Sequence, residues 1–289
     1  MLFNSYEFLI FFPIVTILYF LIPHRFRWFV LLVASCIFYM FFIPVYILIL
    51  FFTIIIDYAA GIMIERSNNN KKHFLILSII ANVGVLAFFK YFNFLAVNVN
   101  SVADENIIPV LNIILPIGLS FHTFQAMSYT IEVYRGNQKA EKHLGIYALY
   151  VMFYPQLVAG PIERPQNILP QFKIKHSFNI DLLYSGLRLM LWGLYKKVVV
   201  ADRLSIYVDA IYNSPLEYSN FLNVLIAFFF FSIQIYCDFS GYSDIAIGAA
   251  RVLGIDLMVN FNRPYESKNI REFWSRWHIS LSTWFRDYV

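Results

Sequence analysis

Charge is scarce in this chain: Asp, Glu, Lys and Arg make up 14% of its 289 residues, where a soluble domain carries about 25%. That shortage excludes an ordinary soluble fold. Cysteine is nearly missing as well; Cys36 and Cys237 are the two, each inside an apolar run, so they read as small buried hydrophobes and no disulfide framework is expected. No His and Cys residues stand at metal-ligand spacing, and no phosphate-cradling or dinucleotide glycine pattern occurs. Internal repeats and low-complexity tails are also missing, which leaves one domain over residues 1–289. The net charge of +4 is spread over many loops, so it speaks for orientation in a bilayer and against a nucleic-acid partner.

What is abundant is apolar surface. Hydrophobic residues make up 60% of the chain, with 31 Phe and 20 Tyr, and bulky rings of this kind suit lipid contact and interfacial belts. The fold class is therefore all-α: a polytopic integral membrane protein built as a bundle of many helices. The run from Phe8 to Pro23 carries no charge and has no basic residue before it, so it is expected to be a retained helix and not a cleaved leader. Trp28 to Ile56 is a charge-free run that Pro44 divides into two spans. Phe74 to Phe94 is the next span, and Ile108 to Ile131 is expected to cross despite Pro109 and Pro116.

Basic loops near Arg25 and Arg27, at Arg66 to Lys72, and at Arg135 to Lys142 alternate with the Pro44 turn and the acidic Asp104-Glu105 loop. The positive-inside rule then puts the basic loops in the cytoplasm and the N-terminus outside.

The second half is less regular. Pro155, Gly160, Pro161 and Pro165 forbid a continuous helix near Gly160-Pro161, which predicts a re-entrant or cavity-lining segment; a surface loop is the alternative. Phe178 to Lys197 is expected to be a helix whose Lys196-Lys197 pair marks a cytoplasmic C-terminus. Asp238 and Asp244 then lie between apolar segments. Such carboxylates face a cavity or a cation, for which Arg251 is available, or else Asp238 or Ser243 caps a break between two helices. His122 and Gln125 are further polar candidates for lining a cavity, and with Asp238 they form a possible polar line.

Asn269 to Val289 reads as one amphipathic helix with an apolar arc from Ile270 to Tyr288. His278 falls on the border of its two faces, with Ser275 and Ser282 in reach. An imidazole there can carry a proton at neutral pH; the alternative is a helix lying at the membrane surface, with aromatics at headgroup level.

Four strings carry a resemblance: LPIGLSFHTFQAMSYTIEVYRG (115–136), YPQLVAGPIERP (154–165), QIYCDFSGYSDIAIGAARVLGI (234–255) and NFNRPYESKNIREFWSRWHISLSTWFRDYV (260–289). They resemble the membrane-bound O-acyltransferases, most of all the branch that acetylates alginate and peptidoglycan, with teichoic acid D-alanyl transferases as more distant relatives. The resemblance implies an integral enzyme moving an acyl group, in this branch an acetyl group, onto a polysaccharide hydroxyl. It implies no metal and no bound cofactor. The donor it implies is acetyl-CoA or an acyl carrier, and the partner a separate extracytoplasmic acetyltransferase.

Two histidines are associated with the family's active site. One matches His278 in Trp277-His278-Ile279-Ser280; the other belongs to a Leu-Trp-His-Gly string that this sequence does not contain. The expectation is therefore a shortened member that cannot complete the site alone. His278 is the catalytic candidate, supported by Arg276, Trp277, Ser280 and Ser282, with Arg276, Ser280 or backbone N–H groups as donors to an oxyanion. Two other classes stay open: a transporter with Asp57, Asp238, Asp244 and His122 on a polar path, and a non-catalytic remnant.

Overall fold

Gly186 and Gly193 on one helix meet Gly248 and Gly241 on another, so two backbones touch along a line where no side chain intervenes. A Cβ on Gly193 would lie 2.5 Å from the Gly241 carbonyl oxygen, and one on Gly186 would lie 2.6 Å from that of Gly248. The two helices are α8 (Ile180–Leu194) and α10 (Phe221–Val252), which run antiparallel. Small residues at a helix contact allow this close approach in membranes, where apolar burial alone gives no drive to associate.

The computed structural model describes residues 1–103, 105–112, 114–158, 160–214 and 220–289. Asp104 of the acidic loop lies outside them. Among the described residues every regular element is helical. Three helices are long and apolar enough to cross a membrane: Pro44–Arg66, Lys71–Ala103 and Phe221–Val252, and Tyr6–Leu21 is a shorter apolar helix. The chain is an integral membrane protein.

Chain order follows the punctuation in the sequence. Ser5 caps α1 (Tyr6–Leu21) by accepting the Phe8 N–H at 3.3 Å, and Pro23 precedes α2 (His24–Met40). Pro44 opens a single 3-10 turn before α3 (Ile47–Arg66), so the predicted division at that proline holds. The next helix, α4 (Lys71–Ala103), runs past Phe94, beyond the predicted span. Helix α5 (Leu119–Arg135) lies between Gly118 and Gly136, both with positive φ. The predicted crossing from Ile108 is thus shortened: Pro109 and Pro116 hold the approach out of helix, and the helix begins only at Leu119.

Helices α3, α4 and α5 share one polar node. Asp57, fully buried, accepts from Ser78 Oγ at 2.6 Å and from Asn82 Nδ2 at 2.8 Å, while Ser78 Oγ also reaches Thr130 Oγ1 at 3.2 Å. Asp57 therefore lies in a satisfied three-helix joint.

Helix α6 (Leu144–Met152) is short and buried. Of the residues after it, Phe153 to Leu157 and Gly160 to Glu163 run buried and irregular up to α7 (Pro165–Lys173). Their polar groups turn inward: Tyr154 N–H donates to Ser35 Oγ at 3.0 Å, Gly160 N–H to the Gln156 carbonyl at 3.1 Å, and Gln156 Nε2 to the Pro161 carbonyl at 3.1 Å. This is irregular backbone packed within protein, as predicted for Gly160-Pro161, and the surface loop is set aside.

Two expectations are corrected beyond α8. The chain does not stop at Lys196-Lys197; a π-helical turn, Tyr195–Ala201, carries it on into α9 (Asp202–Asn213). Nor is there a break at Asp238 or Ser243. Helix α10 passes through both without interruption, so neither residue is a cap. The extra residue per turn at Tyr195–Ala201 swings both lysines toward α10, where Lys196 Nζ meets Asp244 at 2.6 Å and Lys197 Nζ meets Asp238 at 2.6 Å and Asp202 at 2.8 Å. Those lysines, and not Arg251, are the cations that pair with the two carboxylates. Arg251 donates to Ser185 Oγ at 3.0 Å.

Candidate active site

The site is built on a non-helical strap, residues 255–262, that crosses from the end of α10 to the last two helices. Gly254 reverses the chain with φ 82. Gln171 of α7 then clamps Asp256 at both backbone groups, at 2.8 and 2.9 Å, and the buried Glu163 carboxylate accepts the Met258 N–H.

The predicted single helix from Asn269 to Val289 is two helices, α11 (Ile270–Arg276) and α12 (Ile279–Tyr288). His278 sits between them in the left-handed region, φ 44 and ψ 54. A side chain other than glycine costs roughly 1 to 2 kcal/mol there, so the surroundings must hold it. They do so through main-chain bonds to the strap. Asn262 N–H donates to the Arg276 carbonyl at 2.9 Å, and Ile279 N–H donates to the Asn260 carbonyl at 2.9 Å. Periodicity could not show this break, because the apolar arc continues across it.

Beyond the break, α12 docks on α5. Trp284 Nε1 donates to Ser128 Oγ at 2.8 Å and to the Phe124 carbonyl at 3.0 Å. At its far end Asp287 meets Arg164 at 2.8 Å, and the Arg164 and Arg135 guanidiniums both lie against the Tyr288 ring.

The imidazole of His278 lies in an aromatic box. Phe239 of α10 stands edge-on at 4.6 Å between ring centroids, Phe261 lies nearly parallel at 6.4 Å, and Phe121 of α5 is at 6.1 Å. The residue is 8% exposed, and Nε2 has no hydrogen-bonding partner among the described residues. This junction lies outside the three long spans, and burial pushes the imidazole pKa down to about 4. Burial therefore favours the neutral ring, in which one nitrogen accepts and the other donates.

The other candidates divide. Trp277 forms the outer wall, near-parallel to Phe273 at 5.5 Å and edge-on to Phe261 at 5.2 Å. Ser280 is buried beside His278 and donates through Oγ to Asn260 Oδ1 at 2.9 Å. Arg276 is paired with Glu272 at 2.6 Å. The hydroxyls of Ser275 and Ser282 donate to the Glu272 and Trp277 carbonyls, not to the ring. His122 Nδ1 contacts the Val151 carbonyl at 3.0 Å, and Gln125 Nε2 donates to that of Tyr150 at 2.5 Å. Both therefore lock α5 to α6, while Asp238 belongs to the lysine cluster, so the three do not form one polar line. Sequence reading missed Asn260 and Phe239. Asn260 stood inside a recognised string with no role attached. Among the described residues no group of three or more His, Cys, Asp or Glu side chains could hold a metal ion.

The geometry thus presents a buried imidazole whose Nε2 has no partner among the described residues, set in an aromatic box at a left-handed backbone position. The sequence pattern of the MBOAT, or membrane-bound O-acyltransferase, family matches residues 79–289, and the chain belongs to that family. It is 37% identical over 298 aligned positions to the probable alginate O-acetylase AlgI of Pseudomonas aeruginosa, covering 100% of this chain and 56% of that protein. It is 36% identical over 287 positions to the peptidoglycan O-acetyltransferase of Helicobacter pylori, covering 90% of this chain and 54% of the relative. To the teichoic acid D-alanyltransferase of Bacillus subtilis it is 34% identical over 185 positions, 63% of this chain and 46% of the relative. The chain thus spans about half the length of the curated relatives it matches.

Proposed function

We propose that this chain is the His278-bearing part of an O-acyltransferase that moves an acyl group, most simply acetyl, onto hydroxyls of a cell-envelope or exported polysaccharide such as alginate or peptidoglycan. The observation that carries this reading is the buried, unpartnered Nε2 of a neutral His278 inside its aromatic box. A sugar hydroxyl is far too weak an acid to attack unaided. In the reaction its oxygen bonds to the acyl carbonyl carbon, the thioester C–S bond of acetyl-CoA or an acyl carrier breaks, and the hydroxyl proton ends on the released thiol. His278 orients the acceptor or donates to the developing oxyanion, and the second histidine implied by the family resemblance takes the proton. No acyl-enzyme is needed. The transporter reading loses its path, because Asp57 is closed within three helices and Asp238 and Asp244 are neutralised by lysines. A separate extracytoplasmic acetyltransferase working alongside this chain is part of the proposal.

Mass analysis of O-acetyl groups on envelope and exported glycans, with the gene present and deleted, tests it. Loss of O-acetylation from one glycan class is expected. Identical acetylation of every glycan in the two strains removes the acetyltransferase reading.

The proposal includes a bacterial cytoplasmic membrane with the N-terminus outside, following the basic loops at 65–73 and 135–143. Single cysteines at Asn70 and Ala103, in a background with Cys36 and Cys237 replaced by Ala, should separate under an impermeant thiol reagent applied to intact cells. Position 103 is modified and position 70 is spared. The reverse pattern inverts the topology.

A further inference from the structure

We infer that Asn260 is the positioning residue of the His278 site, setting both the backbone that presents the imidazole and the wall it rests on; this rests on the acyl-transfer reading of His278 given above. Asn260 is fully buried and uses both its side chain and its main chain on this one junction. Its carbonyl takes the Ile279 N–H at 2.9 Å, and its Oδ1 takes the Ser280 N–H at 3.2 Å and Ser280 Oγ at 2.9 Å. These are the two N–H groups directly after His278, at the first turn of α12, where a helix has no internal acceptors to offer. Asn260 therefore acts as a cap supplied from a distant part of the chain. The residue at the junction itself, His278, provides no side-chain cap, so its imidazole stays free for the site.

The amide nitrogen of Asn260 faces the other way and donates to Ser243 Oγ of α10 at 3.2 Å. Ser243 lies one turn after Phe239, the ring standing edge-on to His278. One side chain thus fixes the distance between the turn that carries the imidazole and the helix that carries its nearest wall. The strap on which Asn260 sits is anchored in turn to Gln171 and Glu163, so the cap cannot drift without breaking those bonds. Such cross-bracing is what a reacting group needs, since small misplacements cost large factors in rate.

The test uses the full chain, purified in detergent, with diethyl pyrocarbonate labelling of its 6 histidines read by peptide mass. Labelling needs a neutral and accessible imidazole, and His122 serves as the buried internal reference. Asn260→Ala should raise the rate at His278 about tenfold relative to His122, as the first turn of α12 opens locally. Asn260→Asp retains an acceptor for Ser280, so it should label closer to the unmodified chain than Asn260→Ala does. Ser280→Ala removes one bond only and should give an intermediate rise of roughly two- to threefold. It also decides the matter if Asn260→Ala does not fold.

O-acyl transfer in the host should fall with Asn260→Ala and return with Asn260→Asp. Unchanged labelling in both alanine variants overturns the positioning role, as does raised labelling with full transfer. Raised labelling in a protein whose unmodified form acylates no glycan leaves the positioning intact and removes the acyl-transfer reading instead.

Discussion

Replacing His278 with Gln in the host gene lowers O-acyl transfer to glycan by roughly 10²-fold or more, the usual scale for losing an acid–base or oxyanion contributor. Gln has nearly the same size and polarity but is less at home than His at φ 44, so the comparison counts only where the folded protein is matched in amount. Protein level and membrane insertion, followed by immunoblot, must match. Transfer within a few-fold of normal would instead assign the aromatic box to packing, as for a helix resting at the interface. A second readout is stability against pH. Unfolded, the ring takes up a proton near 6.5, whereas folded it resists until about 4. The unfolded state therefore binds more protons between those values, and stability is lost as pH falls through that window. The Gln variant should show a flatter profile there in thermal unfolding monitored by tryptophan fluorescence.

The second large effect concerns the lysines. Asp244→Leu strands Lys196, whose side chain is 10% exposed, and should destabilise the protein by about 3 to 5 kcal/mol, the range for removing one partner of a buried pair. Adding Lys196→Met removes the stranded charge, and most of the loss should return. Asp238→Leu should cost less, because Lys197 keeps Asp202 at 2.8 Å and Asp238 is itself 44% exposed. Denaturation in mixed micelles ranks the three. If Asp244→Leu falls within 1 kcal/mol of the unmodified protein, or if the double variant is worse than the single, the pair is not a buried one.

The membrane class was legible from composition, because bilayer spans write themselves as long charge-free runs. Pro44 marked its turn for the same local reason, and the prolines around Gly160 foretold an irregular segment buried in protein. The catalytic candidate stood out by its place on the border of an amphipathic arc and by the string around Trp277-His278. What stayed hidden is all non-local. The break at His278 depends on Asn260, which lies 18 positions earlier and whose bonds no periodicity reports. Lys196 and Lys197 looked like a helix end because a basic pair after an apolar run suits a cytoplasmic C-terminus; the π-helical turn that aims them at α10 has no sequence signature of comparable strength. Asp238 looked like a cap for want of any sign that its helix ran on.

The paired glycines of α8 and α10 act as a vernier. They repeat at the same interval of seven on both helices, so the two scales coincide at one setting. A slip of one helical turn would drive a side chain into a carbonyl at both contacts. The vertical alignment of these helices is thereby fixed without reference to charge. The depth at which the lysines meet their carboxylates follows from a steric ruler lying beside them, and the ion pairs form at a height they did not choose.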